Sequence, residues 1–186
     1  MEITLITGNQ TKLKNANLNL NNFGIQVEGR EIDTPEIQST KPEEIAEHSA
    51  KYAYSIVGKP VIKMDVSFEI DCLKGFPGPF VKFINQWLDP NDILKMIGSS
   101  KNRRARFIDV LSYVGGQDAQ IKSFRMVKNG VISAKPLGEN GWGIDKIFIP
   151  DGFNKTLAEM DDSERVTVWG NSHWEDLATY IKSLKS

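Results

Sequence analysis

The first thirty residues constrain the fold most. Residues 2–7 form a short apolar run that reads as a strand and stops at Gly8-Asn9. A helix is expected over 11–22, packing through Leu13, Leu18 and Leu20, and Phe23-Gly24-Ile25 ends it at a glycine and starts a second strand through Val27. Pro42-Glu43-Glu44 then opens a clear helix, with proline at the start, acids in the first turn, and Ile45, Ala46, Ala50, Ala53 and Ile56 behind them. The stretch 61–70 is β-rich, helices are expected over 80–88 and 91–98, and strands near 105–114 and 120–128. Lys128-Asn129-Gly130-Val131 reads as a hairpin turn, with a short helix near 155–159 and a last one from Ser172 to Leu184. Strands and helices alternate at first and strands cluster later. The expectation is therefore an α/β fold with a mixed sheet rather than pure βαβ winding.

At 186 residues, with 40% hydrophobic and 25% charged residues, the chain can bury a real core as one domain, or as one domain folded in two lobes. A formal charge of −1 argues against bulk attraction to nucleic acid or anionic membrane, so an anionic ligand must be held by local lysines and backbone amides. The single cysteine, Cys72, rules out an internal disulfide and a thiolate zinc cluster. With no secretory leader and no membrane-length apolar run, the sequence reads as a reduced, cytoplasmic protein.

Several residues could carry chemistry. Thr7-Gly8-Asn9-x-x-Lys12 can aim backbone N–H groups, a helix N-terminus and one ammonium at a phosphate chain, or it can be the punctuation that any strand–turn–helix needs. Asp65 interrupts an apolar β-run, where an acid is costly to bury without a partner. Either it caps a strand end or pairs with Lys63, or it sits at a sheet rim, holds a divalent metal and deprotonates a water. Glu36 is an isolated acid in an extended segment, and Lys51 a single charge near Ala50 and Ala53. Ser172-His173 reads as the N-cap and first turn of the last helix. Trp142 lies between Gly141 and Gly143, where it could stack on a planar base or fill a groove.

In order, these pieces resemble the inosine triphosphate pyrophosphatase family over essentially the whole chain. The matching segments are Thr7-Gly8-Asn9 with Lys12, Pro35 to Gln38, Lys51, the turn Leu73, Gly75, Pro77 and Gly78, the strand Arg103 to Phe107, Gly141 to Phe148, and Lys155 to Met160. The resemblance implies a long mixed sheet bent between two lobes around a nucleotide cleft, usually in a homodimer. It implies Mg²⁺-dependent hydrolysis of nucleoside triphosphates with non-standard purines, such as ITP, dITP and XTP, to monophosphate and pyrophosphate. In that scheme Thr7, Gly8, Asn9 and Lys12 wrap the phosphates and Lys51 neutralises them. Glu36 and Asp65 hold the metal, and Asp65 also activates the water. Trp142, Gly143, Ile144 and Asp145 stack on and flank the purine, while Arg165 and His173 complete base recognition.

Departures from the family pattern fall around the site. Met64, Val66 and Ser67 stand where the family has an acid, a hydroxyl residue and glycine, with Ser67 offering a hydroxyl displaced by one position. With an insertion of roughly two residues before Ser172, Trp174 stands where an arginine follows the histidine, which removes a planar donor fork from base recognition; without it, Gly170-Asn171 falls at the histidine–arginine pair. Altered base selection is the expectation. Two other readings stay open: a nucleotide-binding protein with little turnover on the same fold, and an enzyme acting on a modified pyrimidine or a nucleotide sugar.

Overall fold

The structure is a computed structural model and describes residues 1–117 and 119–184. Strand β1 (Glu2–Ile6) leads into helix α1 (Gln10–Leu20) through Asn9, whose side chain accepts from the Thr11 and Lys12 N–H groups. The helix is rich in asparagine, a poor helix former, and is held from outside. Asn17 donates to the Val27 carbonyl and accepts from the Val27 N–H, which fastens α1 to β2 (Gln26–Arg30). Ala16 and Leu20 face inward, whereas Leu18, expected to pack, is 63% exposed because it falls off that stripe. Helix α2 (Pro42–Val57) ends at Gly58 in the left-handed region, and β3 (Val61–Ile70) follows. The short β4 (Pro77–Gly78), α3 (Val81–Trp87) and α4 (Pro90–Ile97) come next, α4 started by an Asp89/Asp92 capping box. Strands β5 (Arg104–Val114), β6 (Lys122–Ile132) and β7 (Phe148–Pro150) precede α5 (Asp162–Trp169) and α6 (Ser172–Ser183).

The seven strands run in the order β2-β1-β3-β5-β6-β7, with β4 on β3. Strand β1 pairs parallel with β2 and β3, while β3–β4 and β6–β7 are antiparallel, so the sheet is mixed as expected. Two expectations need correction. Lys128 to Val131 is not a turn: β6 runs through it, with Gly130 opposite Pro150. A Cβ at Gly130 would collide with the Ile149 carbonyl and the Phe148 ring, so the glycine serves close approach of strands. The last helix is capped by Asn171 rather than Ser172.

By its contacts the chain divides into two compact units. The first comprises 1–65, 109–126 and 171–186. Its larger core joins Ile3, Leu5, Ile62, Leu111 and Tyr113 to Leu20 of α1 and Trp174, Leu177 and Ile181 of α6. A smaller cluster sets Ala50 and Ala53 of α2 against Ile6, Val61 and Val114. Alternate residues of β3 therefore serve α1 with α6 on one face and α2 on the other. The second unit comprises 66–108 and 127–170. Its core gathers Phe68, Phe107 and Phe148, with Phe107 set edge-on to Phe148 and Trp169 at 5.1 and 5.2 Å. No helix among the described residues is long and apolar enough to cross a membrane.

Candidate active site

In the first unit, Asp65 lies within β3, so it caps no strand end. It shares a strand face with Val61 and Lys63, the face turned to α2. Lys63 Nζ donates to Thr34 Oγ1 at 3.0 Å, and Ser49 Oγ of α2 donates to the Pro35 carbonyl at 3.3 Å. Those two bonds fasten the irregular 31–39 segment beside β3 and α2 and hold the exposed Glu36 in the same neighbourhood. Lys51 is on α2 as well. It lies two residues, about 200° of helix, from the fully buried Ser49, and is exposed on the outer face of α2. The lysine on the face of Asp65 is Lys63, which the sequence reading took only as a possible ion-pair partner.

The opening turn is largely satisfied by itself. Thr7 N–H donates to the Arg30 carbonyl, Asn9 N–H to Thr7 Oγ1, and the Thr11 and Lys12 N–H groups to Asn9 Oδ1. Its surface presents Gly8, which is exposed, and the partly exposed Lys12. The Glu31 carboxylate lies over Gly8, 2.7–2.9 Å from where a Cβ would stand. This acid beside the turn went unremarked in the sequence, because its place depends on β1–β2 pairing.

In the second unit, Trp142 to Asp145 form a closed turn. Asp145 Oδ2 accepts from the Trp142 N–H and from Arg165 Nη2, both at 2.9 Å, and Arg165 Nη1 donates to the Leu157 carbonyl. Asp145 and Arg165 thus bind each other and the loop. Gly141 is required twice over: its φ is +75°, and a Cβ there would strike the Asp145 carboxylate. Asn85 of α3 accepts from the Ile144 N–H at 3.0 Å, a support with no local sequence signal. Trp142 itself is 56% exposed, leaving a ring face open. A recess of about 520 Å³ beside the turn is lined by Asn85, Trp87, Asp89, Pro90, Gly143 and Lys146. Ser67 is fully buried, and its hydroxyl has no hydrogen-bond partner among the described residues.

Back in the first unit, His173 is buried in the first turn of α6, with Nε2 3.3 Å from Asp109 Oδ2.

The Ham1 family model matches residues 3–174. The chain belongs to the Ham1 family. A relative from Methanopyrus kandleri, named dITP/XTP pyrophosphatase, is 38% identical over 170 residues, covering 90% of this chain and 89% of the relative. Inosine triphosphate pyrophosphatase 2 of Trypanosoma cruzi is 36% identical over 165 residues, covering 88% and 83%. The Ham1 protein structure from Coxiella burnetii superposes with a TM-score of 0.85 at 25% identity, over 98% of this chain and 99% of that one. The fold of this Ham1 chain is therefore the mixed α/β fold of those structures.

Among the described residues no three His, Cys, Asp or Glu side chains form a cluster that could hold a metal by themselves. Glu36 and Asp65 are two carboxylates, and Mg²⁺ is commonly held by one or two carboxylates, with waters and substrate phosphates filling the remaining positions. The donor set of this Ham1 chain fits such an ion.

Proposed function

We propose that this chain is a Mg²⁺-dependent nucleoside triphosphate pyrophosphatase acting as a homodimer on 6-oxopurine nucleotides such as dITP, ITP and XTP. Family membership and the names of its relatives support the reaction class. The observation that carries the reading for this chain is Asp65 on one strand face with Lys63, beside the anchored segment that bears Glu36. An acid and a cation on one strand face, with a second acid on the segment bonded beside it, suit a phosphate chain and its metal better than they suit a core.

In the proposed reaction water attacks the α-phosphorus, the bond to the α–β bridging oxygen breaks, and pyrophosphate leaves. Asp65 takes the proton from the attacking water. Lys63 and Lys12 offset phosphate charge, a positioning and neutralising role that dominates phosphoryl chemistry. Glu36 and Asp65 would hold a divalent ion, which would supply Lewis acidity at the phosphate oxygens. The exposed Trp142 ring offers a stacking face to the base, on a turn braced by Asp145, Arg165 and Asn85. The test is pyrophosphate release from ITP, dITP, XTP and the four common nucleotides with Mg²⁺; folded protein that releases none from any of them overturns the reading.

One observation favours a second reading, a nucleotide-binding protein with little turnover. Ser67, the displaced hydroxyl beside Asp65 in sequence, is wholly buried and so offers nothing at a phosphate. Calorimetric binding without hydrolysis would select that reading.

A further inference from the structure

Thr7, Asn9, Thr11 and Lys12 spend their N–H groups on acceptors within the chain. Those of Gly8 and Gln10 have no such acceptor among the described residues, so they are the donors that the opening turn keeps for an anion. An acid already stands there. The carboxylate carbon of Glu31 and both its oxygens lie 2.7–2.9 Å from where a Gly8 Cβ would stand. The two residues meet because β1 and β2 pair in register up to Ile6 and Arg30, and the chain leaves both strands side by side. Glu31 is exposed and forms no ion pair or hydrogen bond among the described residues, so water alone compensates its charge. Glu36 follows on the same 31–39 segment, which the bonds to Thr34 and Pro35 fasten beside β3 and α2.

A triphosphate with no cation bound brings its full negative charge against Glu31. One that carries a divalent ion brings two charges fewer, and the repulsion between like charges a few ångströms apart falls with the charge removed. The ion's remaining positions also turn toward carboxylates and water. We propose that Glu31 is a specificity-determining residue that sets which form of the nucleotide enters: it turns away the metal-free triphosphate and admits the one that carries a divalent ion. Lys12 by itself attracts both forms, and the metal-free one more strongly. Glu31 opposes that order. This inference rests on the reading of the opening turn as the phosphate-binding edge of a nucleotide pyrophosphatase site.

Calorimetry with an α,β-methylene analogue of ITP, which cannot be cleaved between those phosphates, tests it. Wild type, Glu31→Gln and Glu31→Asp are each titrated in EDTA and in excess Mg²⁺. In EDTA, Glu31→Gln should bind about tenfold tighter than wild type, while Glu31→Asp, which keeps the charge, should stay within about threefold of it. In Mg²⁺ the gain of Glu31→Gln should shrink to about twofold or less. Equal dissociation constants for wild type and Glu31→Gln in EDTA overturn the proposal. So does the same gain in both solutions, which is repulsion without selection, and so does weaker binding of Glu31→Gln in Mg²⁺, which makes Glu31 a metal ligand. If none of the three proteins binds in either solution, the turn has no phosphate role and the proposal falls with it. The pyrophosphatase reading fails separately, when wild type binds the analogue in Mg²⁺ but releases no pyrophosphate from ITP. The comparison in EDTA then still decides the role of Glu31.

Discussion

Two lysines separate what a residue's neighbours in sequence say from what its neighbours in space say. Lys51 stands among alanines in a helix, but the periodicity of that helix turns it outward; Lys63 stands in a β-run and turns toward α2 with Asp65. The expected outcome is that Lys63→Ala raises KM for triphosphates by about tenfold or more, as loss of a hydrogen bond to a charged group does, while Lys51→Ala stays within twofold. Steady-state kinetics on both variants checks it, and a larger effect at Lys51 would return the phosphate role to the outer face of α2. Asp65→Asn keeps the shape and removes the base. Its kcat should fall by about 10²–10⁴ with an unchanged circular dichroism spectrum, and a wild-type rate would remove Asp65 from catalysis. Asp65 was noticeable in the sequence because an acid inside an apolar run is anomalous on its face. Asp109, Asn85 and Glu31 were not, since each draws its meaning from a residue that only the folded chain brings near.

At the scale of elements most segments were legible, short ones included: the helices expected over 80–88 and 91–98 were found at Val81–Trp87 and Pro90–Ile97. The helix expected from Pro42 was found at Pro42–Val57, and the strand at 61–70 was found whole. Helix α5 had no forecast, because Val166, Thr167 and Val168 are β-branched and argue against a helix locally. Its start supplies what its interior lacks. Asp161 accepts from the Glu164 N–H, Glu164 accepts from the Asp161 N–H, and Lys155 donates to Glu164. Hydrogen bonds from Lys155 first, and then from the Asp161 backbone, hold the Glu164 carboxyl below its ordinary range; Ser163 and the Glu164 backbone do the same for Asp161. A carboxyl depressed in the folded state contributes stability above its unfolded value and loses it as pH falls through the folded one. Asp161→Ala should therefore melt below wild type at neutral pH, and the gap should close as pH drops below about 4. Melting curves across that range check this; a gap undiminished in acid would mean that the cap acts without its charge.

For the whole molecule the governing quantity is its charge, and the formal value of −1 leaves little long-range field to draw in a triphosphate. Whatever attraction the substrate feels must come from cations close to its path, within a screening length of about 8 Å at physiological salt. Glu31 over Gly8 adds a local repulsion, so the opening turn depends on Lys12 to favour phosphate at all. It follows that KM for ITP should rise several-fold, about 2–10, between roughly 0.05 and 0.5 M salt, while kcat changes little. The same titration on Lys12→Ala should start from a higher KM and climb less steeply, because one screened contact is already gone. On Glu31→Gln it should start lower, since the repelling charge is absent and Gly8 stays open. Equal salt slopes for wild type and Lys12→Ala would detach Lys12 from the phosphate path, and the attraction would then have to come from Lys63, whose partly buried ammonium is screened less by salt.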